Sequence, residues 1–170
     1  MLNNNSKTII WTGKEKEIIF EKVLGKKGEE LELKILLMGK EDKNVSVRVS
    51  VRHAAPDTKS KVIVKGVLDD RSRVDFEGLT IIDNGARNSN AWLESRLLLI
   101  SDKASGRAVP NLEISEFEVK AGHAATVGKI DEMEIFYLMS RGLSRETTVK
   151  LIADGFIGKT DSTDENGYNG

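Results

Sequence analysis

Leu31-Glu32-Leu33-Lys34-Ile35-Leu36-Leu37-Met38-Gly39-Lys40-Glu41-Asp42-Lys43-Asn44-Val45-Ser46-Val47-Arg48-Val49-Ser50-Val51 is the stretch on which the fold turns. Apolar side chains stand at Leu31, Leu33, Ile35 and Leu37, and again at Val45, Val47, Val49 and Val51. A strand turns successive side chains to opposite faces, so period two marks strands with one buried face. Shorter apolar runs follow at Val62-Ile63-Val64, Val67-Leu68, Val74 with Phe76, Leu79 to Ile82, Leu97 to Ile100, Leu112 to Ile114 and Phe117 to Val119. Turn formers separate them at Pro56-Asp57-Thr58, Asp69-Asp70, Asp83-Asn84-Gly85 and residues 103–106. Such a series closes equally well as a sandwich, a barrel or a solenoid, and its intervals are too irregular to claim a repeat.

From Ile130 the period changes. Asp131 with Glu134 three residues later fits a capping box, and Met133, Phe136, Tyr137 and Ser140 share one helical face before Gly142 supplies a stop. Ser144 opens a second helix with Val149, Ile152, Ala153 and Phe156 on one side, and Leu143 at the corner. Residues 159–170 are polar and read as disordered. The expected division is 1–129 β core, 130–158 helical hairpin and 159–170 tail.

The 170 residues, 39% hydrophobic and 31% charged, suffice for one core of ordinary size. A net charge of −1 supplies no field to gather nucleic acid or an anionic membrane, so neither is expected as a partner. No basic segment leads into an apolar one near Met1, and no apolar run reaches membrane-spanning length; the expectation is a cytoplasmic protein. Zero cysteines exclude disulfides and thiolate ligation of a cluster by this chain alone. No His/Ser/Asp order, HExxH helix or paired-carboxylate spacing stands out, so no hydrolase is inferred. Ala153-Asp154-Gly155-Phe156-Ile157-Gly158-Lys159-Thr160 imitates a phosphate-binding loop, but a helix precedes it where a strand is required.

Three further stretches carry a resemblance: Val109-Pro110-Asn111-Leu112-Glu113-Ile114, Ala121-Gly122-His123-Ala124-Ala125-Thr126-Val127-Gly128, and Ile135-Phe136-Tyr137-Leu138-Met139-Ser140-Arg141-Gly142. Upstream, Val51-Arg52-His53-Ala54-Ala55-Pro56, Val64-Lys65-Gly66-Val67-Leu68, Phe76-Glu77-Gly78 and Leu97-Leu98-Leu99-Ile100-Ser101-Asp102 extend it. In this order the chain resembles the C-terminal core of the SufB/SufD family, scaffold subunits of iron–sulfur cluster assembly. It looks closer to SufD. SufD-type members usually read Cys-Ser-His-Gly-Ala-Thr-Val-Gly where this chain keeps His123 but has Ala121 in place of the cysteine. SufB-type members carry a glutamate directly after the histidine, where Ala124 stands, and a cysteine in the loop matching residues 102–109, which has none. Family members are longer, so the chain reads as curtailed at both ends.

The resemblance implies a mainly β fold: a right-handed parallel β-helix (β-solenoid) with a C-terminal α-helical hairpin. It implies a non-enzymatic scaffold or accessory subunit that docks a SufC-like ABC ATPase through those helices, and that pairs with itself or with a SufB-like subunit. A β-helix of few coils leaves unpaired edges, which fits oligomerisation. Alternatives are a divergent β-helix that only oligomerises, and a polysaccharide-binding β-helix; the latter needs an aromatic groove, and aromatics are only 5% here.

His123 matches the family histidine implicated in cluster or iron handling. Glu113 or Glu94 could complete an interfacial site, set against a plain structural histidine at a turn and solvated carboxylates. No cofactor is expected on the isolated chain; iron or a cluster would be met only transiently in a complex. His53, ahead of Pro56-Asp57-Thr58, reads as a local hydrogen-bond partner. Met133, Tyr137, Met139 and Arg141 are the expected ATPase contacts, whereas Phe136 and Phe156 are expected to cover the end of the β-helix.

Overall fold

The structure is a computed structural model that describes residues 6–158; the expected disordered tail lies outside them. The described chain holds nine strands: β1 (Ser6–Trp11), β2 (Glu17–Leu24), β3 (Glu30–Gly39), β4 (Asn44–His53), β5 (Lys59–Leu68), β6 (Arg73–Ile82), β7 (Asn90–Leu99), β8 (Ser105–Ile114) and β9 (Lys120–Lys129). Every strand pairs in parallel with the strand two places away, giving one sheet in the order β1-β3-β5-β7-β9 and a second in the order β2-β4-β6-β8. The chain passes from one sheet to the other at every corner, which makes a parallel β-solenoid of about four turns, as the family resemblance implies.

Period two explains the core. The alternating residues of β3 and β4 face inward as Leu31, Leu33, Ile35 and Leu37 from one sheet and Val45, Val47, Val49 and Val51 from the other, and both sets belong to one buried cluster. Parallel register stacks like on like: Leu33 lies beside Val62, and Val62 beside Leu93. Two glycines that split apolar runs in the sequence are continuous strand here. Gly66 joins Val62-Ile63-Val64 to Val67-Leu68 within β5, and Gly78 joins Phe76 to Leu79 within β6. A Cβ at either position would sit 2.6 Å from the inward side chain of Leu97 or Leu93, so the missing side chain is what the neighbouring leucine occupies.

The coils are more regular than the sequence suggests. Strands of the first sheet start at Glu30, Lys59, Asn90 and Lys120, intervals of 29 to 31 residues. What looked irregular is turn length: Ala54 to Thr58 is five residues, whereas Asp83 to Ser89, one coil later at the same corner, is seven. A ladder of left-handed residues runs up this corner, Gly28 (φ 73°), Asp57 (φ 61°) and Asn88 (φ 58°). The Gly28 amide donates to the Pro56 carbonyl (3.1 Å), Asp57 to Arg87 (2.8 Å) and Asn88 to Glu118 (2.7 Å). Asp and Asn tolerate this conformation best after glycine.

One expectation needs correction. Phe117 to Val119, read as a strand, belongs to the corner between β8 and β9, because β8 ends at Ile114 and Phe117 is 99% exposed. The Ala121 to Gly128 stretch forms the body of β9, so His123 stands within a strand.

The chain divides between Ile130 and Asp131 into two compact units. The second holds α1 (Glu132–Ser140) and α2 (Arg145–Ile157). Asp131 caps α1 by accepting from the Met133 amide (2.8 Å), Ser144 caps α2 by accepting from the Thr147 amide (3.1 Å), and Gly142 (φ 98°) follows the end of α1. The Arg145 guanidinium grips both Glu132 carboxylate oxygens at 2.9 and 2.8 Å, a bidentate clasp from one helix to the other. No helix among the described residues is long and apolar enough to cross a membrane.

Candidate functional site

His123 sits in the middle of β9, an edge strand of the five-stranded sheet. Its register partner is Leu93, a core residue, so the imidazole occupies an inward column that continues Leu33, Val62 and Leu93. It is nevertheless exposed, because among the described residues no further strand covers β9. A histidine has thus replaced an aliphatic residue where the stack ends. Around it the last coil presents half-exposed Ile114 from β8 and Val127 from β9.

The two carboxylates considered with it lie elsewhere. Glu113 is exposed on β8 and alternates with the inward column of Leu112, which continues Thr80, so it points outward on the other sheet. Glu94 is outward on β7, where the Trp92 indole N–H donates to it (3.3 Å) and Arg96 pairs with it. Neither joins His123 on one face of this chain. Among the described residues no group of three or more His, Cys, Asp or Glu side chains is placed to hold a metal ion. With no cysteine in the chain, the donors for a thiolate-bound cluster are not present in it either.

His53 is the opposite case. It is fully buried at the end of β4, with Nδ1 2.8 Å from Thr58 Oγ1 and Nε2 2.8 Å from Ser60 Oγ. Thr58 Oγ1 donates to the Ala55 carbonyl (3.1 Å) and lies 2.8 Å from Ser89 Oγ. With the threonine proton so committed, Nδ1–H donates to Thr58 and Nε2 accepts from Ser60, a neutral imidazole satisfied at both nitrogens. Burial pushes its pKa down. It is a structural partner of its turn, as its position before Pro56 suggests.

In the helical unit, Ile135 is the buried residue of α1, and Thr148 and Ile157 are those of α2. Met133 (72%), Phe136 (68%), Tyr137 (57%) and Met139 (40%) are exposed. Within the helical unit Phe136 thus belongs to the same exposed set as Met133, Tyr137 and Met139. A 3.6 period groups Phe136 with Met133 without saying which helical face is buried. Arg141 lies over the Tyr137 ring (5.3 Å to its centre) and donates to its hydroxyl (3.2 Å), so these two expected contact residues form one unit. Leu151 of α2 is a further exposed apolar residue that the sequence reading passed over. The loop-like Ala153 to Ile157 is helical to its end and Gly158 is its left-handed cap, so the amides there serve the helix.

Residues 6–156 match the family profile described as SUF system FeS cluster assembly, SufBD core domain. The chain is 36% identical over 124 residues to the iron–sulfur cluster assembly protein SufD of Bacillus subtilis, covering 73% of this chain and 28% of that one. It is 35% identical over 140 residues to a SufBD family protein of Mycobacterium leprae, covering 78% of this chain and 36% of that protein. A SufBD family protein of Mycobacterium bovis shares 32% over 117 residues, 69% of this chain and 14% of the relative. The chain thus spans about a third or less of these relatives. The solenoid, the two helices that follow it in the sequence and the profile match over nearly the whole described length agree: the chain belongs to the SufBD family of iron–sulfur cluster assembly proteins.

Proposed function

We propose that this protein is a non-catalytic, SufD-like scaffold subunit of iron–sulfur cluster assembly, whose helical hairpin docks a SufC-like ABC ATPase. The observation that carries this reading is the apolar surface of α1: four large side chains, Met133, Phe136, Tyr137 and Met139, are exposed on one short helix. Aromatic and Met residues of this kind serve as anchors at protein interfaces. The caps on Asp131 and Ser144 and the Arg145–Glu132 clasp hold the hairpin rigid before a partner arrives, which lowers the ordering cost of binding. Replacing Tyr137 and Met139 together with serine is expected to weaken ATPase affinity at least tenfold, measured by calorimetry with the far-ultraviolet circular dichroism spectrum unchanged. Unaltered affinity would move the contact elsewhere.

The open edges of β8 and β9 favour pairing with a second copy or a SufB-like subunit. His123 would then face that partner, and any iron it met would be cargo completed by ligands from the other chain. His123→Ala is expected to lower the iron retained by the assembled complex, read by elemental analysis, while leaving its mass unchanged; full retention would remove the residue from iron handling.

A further inference from the structure

Among the described residues, Asn84 is the one asparagine that stands directly before a glycine, Gly85. The pair lies at the corner between β6 and β7, and both residues are exposed. In an Asn-Gly pair the backbone can attack the asparagine side chain, because glycine has no side chain to shield its amide nitrogen. The Gly85 nitrogen loses its proton to solvent base and bonds to Asn84 Cγ, the Cγ–N bond of the side chain breaks, and ammonia leaves. Water then opens the resulting succinimide to aspartate or isoaspartate, with no change of oxidation state.

Two features of this corner oppose that reaction. The Ala86 amide donates to the Asp83 carbonyl (3.1 Å), and Gly85 is left-handed (φ 89°) where Asn84 is not, which makes 83–86 a type II turn. Such a turn sets ψ of its first central residue at about +120°. The Gly85 nitrogen is thereby kept out of the eclipsed position against Cβ that ring closure requires.

The second feature comes from the next coil. Glu116, in the corner between β8 and β9, accepts the Gly85 N–H at 2.9 Å with one carboxylate oxygen and the Phe117 N–H at 2.8 Å with the other. Its side chain is only 8% exposed. The proton that must leave Gly85 is therefore held, and the carboxylate's charge opposes the amide anion that its loss would create. Glu116 is a poor base for that proton, since the Gly85 amide first, and then that of Phe117, lowers its pKa. The neighbouring carboxylate, Asp83, is engaged by Arg52 at 2.7 Å.

We propose that Asn84-Gly85 is a latent deamidation site held closed by Glu116 of the following coil, so that conversion of Asn84 marks chains in which the corner between β8 and β9 has lifted. Conversion is one-way: the new carboxylate at residue 84 stands beside Asp83 and close to Glu116, and like charges oppose the return of the corner. The device is independent of the cluster-assembly reading.

The test incubates the full chain in mildly alkaline buffer as unaltered protein, Glu116→Ala and Glu116→Gln, and reads deamidation residue by residue from peptide masses. Rates are taken relative to Asn166-Gly167 in the same digest. Asn84 is expected to convert roughly tenfold faster or more in Glu116→Ala, the scale of one lost hydrogen bond to a charged group. An Asn84 rate equal to that of the unaltered protein overturns the proposal. So does a proportionate rise at Asn88, which would mean general loosening of the corner in place of release of one amide. Should Glu116→Ala fail to give the solenoid's circular dichroism spectrum, Glu116→Gln, which keeps the shape and loses the charge, is expected to be faster by a smaller factor and is read against the same two outcomes.

Discussion

Replacing Phe76 with alanine is expected to cost about 3–5 kcal/mol of stability, the range for deleting a fully buried aromatic ring. Phe76 is completely buried in β6, between Val47 of β4 and Ala108 of β8 in its column. Its ring also fills the space above Gly78: a Cβ there would meet the ring edge at 2.9 Å and Leu93 at 2.6 Å. The small residues on either side, Gly78 along the strand and Ala108 across it, cannot move in to fill the vacated volume. Urea unfolding followed by circular dichroism measures the loss as a lower midpoint at constant slope. Against a total stability of about 5–15 kcal/mol, the variant would be marginal at best.

The second large effect is a dependence of stability on pH. His53 has its folded-state pKa lowered by burial, against about 6.5 in the unfolded chain. The unfolded state therefore takes up a proton that the native state refuses. Stability is full above about pH 6.5 and falls as pH drops from there toward the folded-state pKa, with a limiting slope of about 1.4 kcal/mol per pH unit. Glu29, Asp102 and Glu116 also have lowered values, set first by the Lys22 hydrogen bond, the Lys129 hydrogen bond and the Gly85 amide respectively. Their contribution is lost below the ordinary carboxyl range, so the interval between pH 7 and 5 isolates the histidine. In His53→Gln the overall stability falls and the slope across that interval disappears. A slope that survives the substitution would assign it to another group.

The strands with an aliphatic inward face were legible in the sequence. β3 and β4 announce themselves because four successive inward residues in each, Leu31 to Leu37 and Val45 to Val51, are Leu, Ile or Val, before Gly39 and His53 end the two sets. β9 does not, since its inward positions are Ala121, His123, Ala125, Val127 and Lys129, and no apolar period survives in such a list. Its strand character comes from the backbone ladder to β7, which a side-chain pattern cannot report. β1 and β2 were missed for a related reason: their inward columns end in Lys7 and Lys22, which interrupt the alternation. The caps at Asp131 and Ser144 were readable because capping depends on one local side chain and one nearby amide. The positions of Glu113 and Glu94 relative to His123 were not, since facing depends on registers that only the folded coils fix.

The uniform pairing of each strand with the one two places before it also governs how the chain can be assembled as it is synthesised. Parallel sheets are ordinarily slow to form, because partners lie far apart and some strands wait for others made later. Here the template for β3 is β1, that for β4 is β2, and so on to β9, which closes on β7. Each new strand finds its partner already made, about 30 residues behind it. From β3 onward no strand depends on a segment still inside the ribosome. The order of translation and the order of folding coincide, and the growing edge is always the newest one.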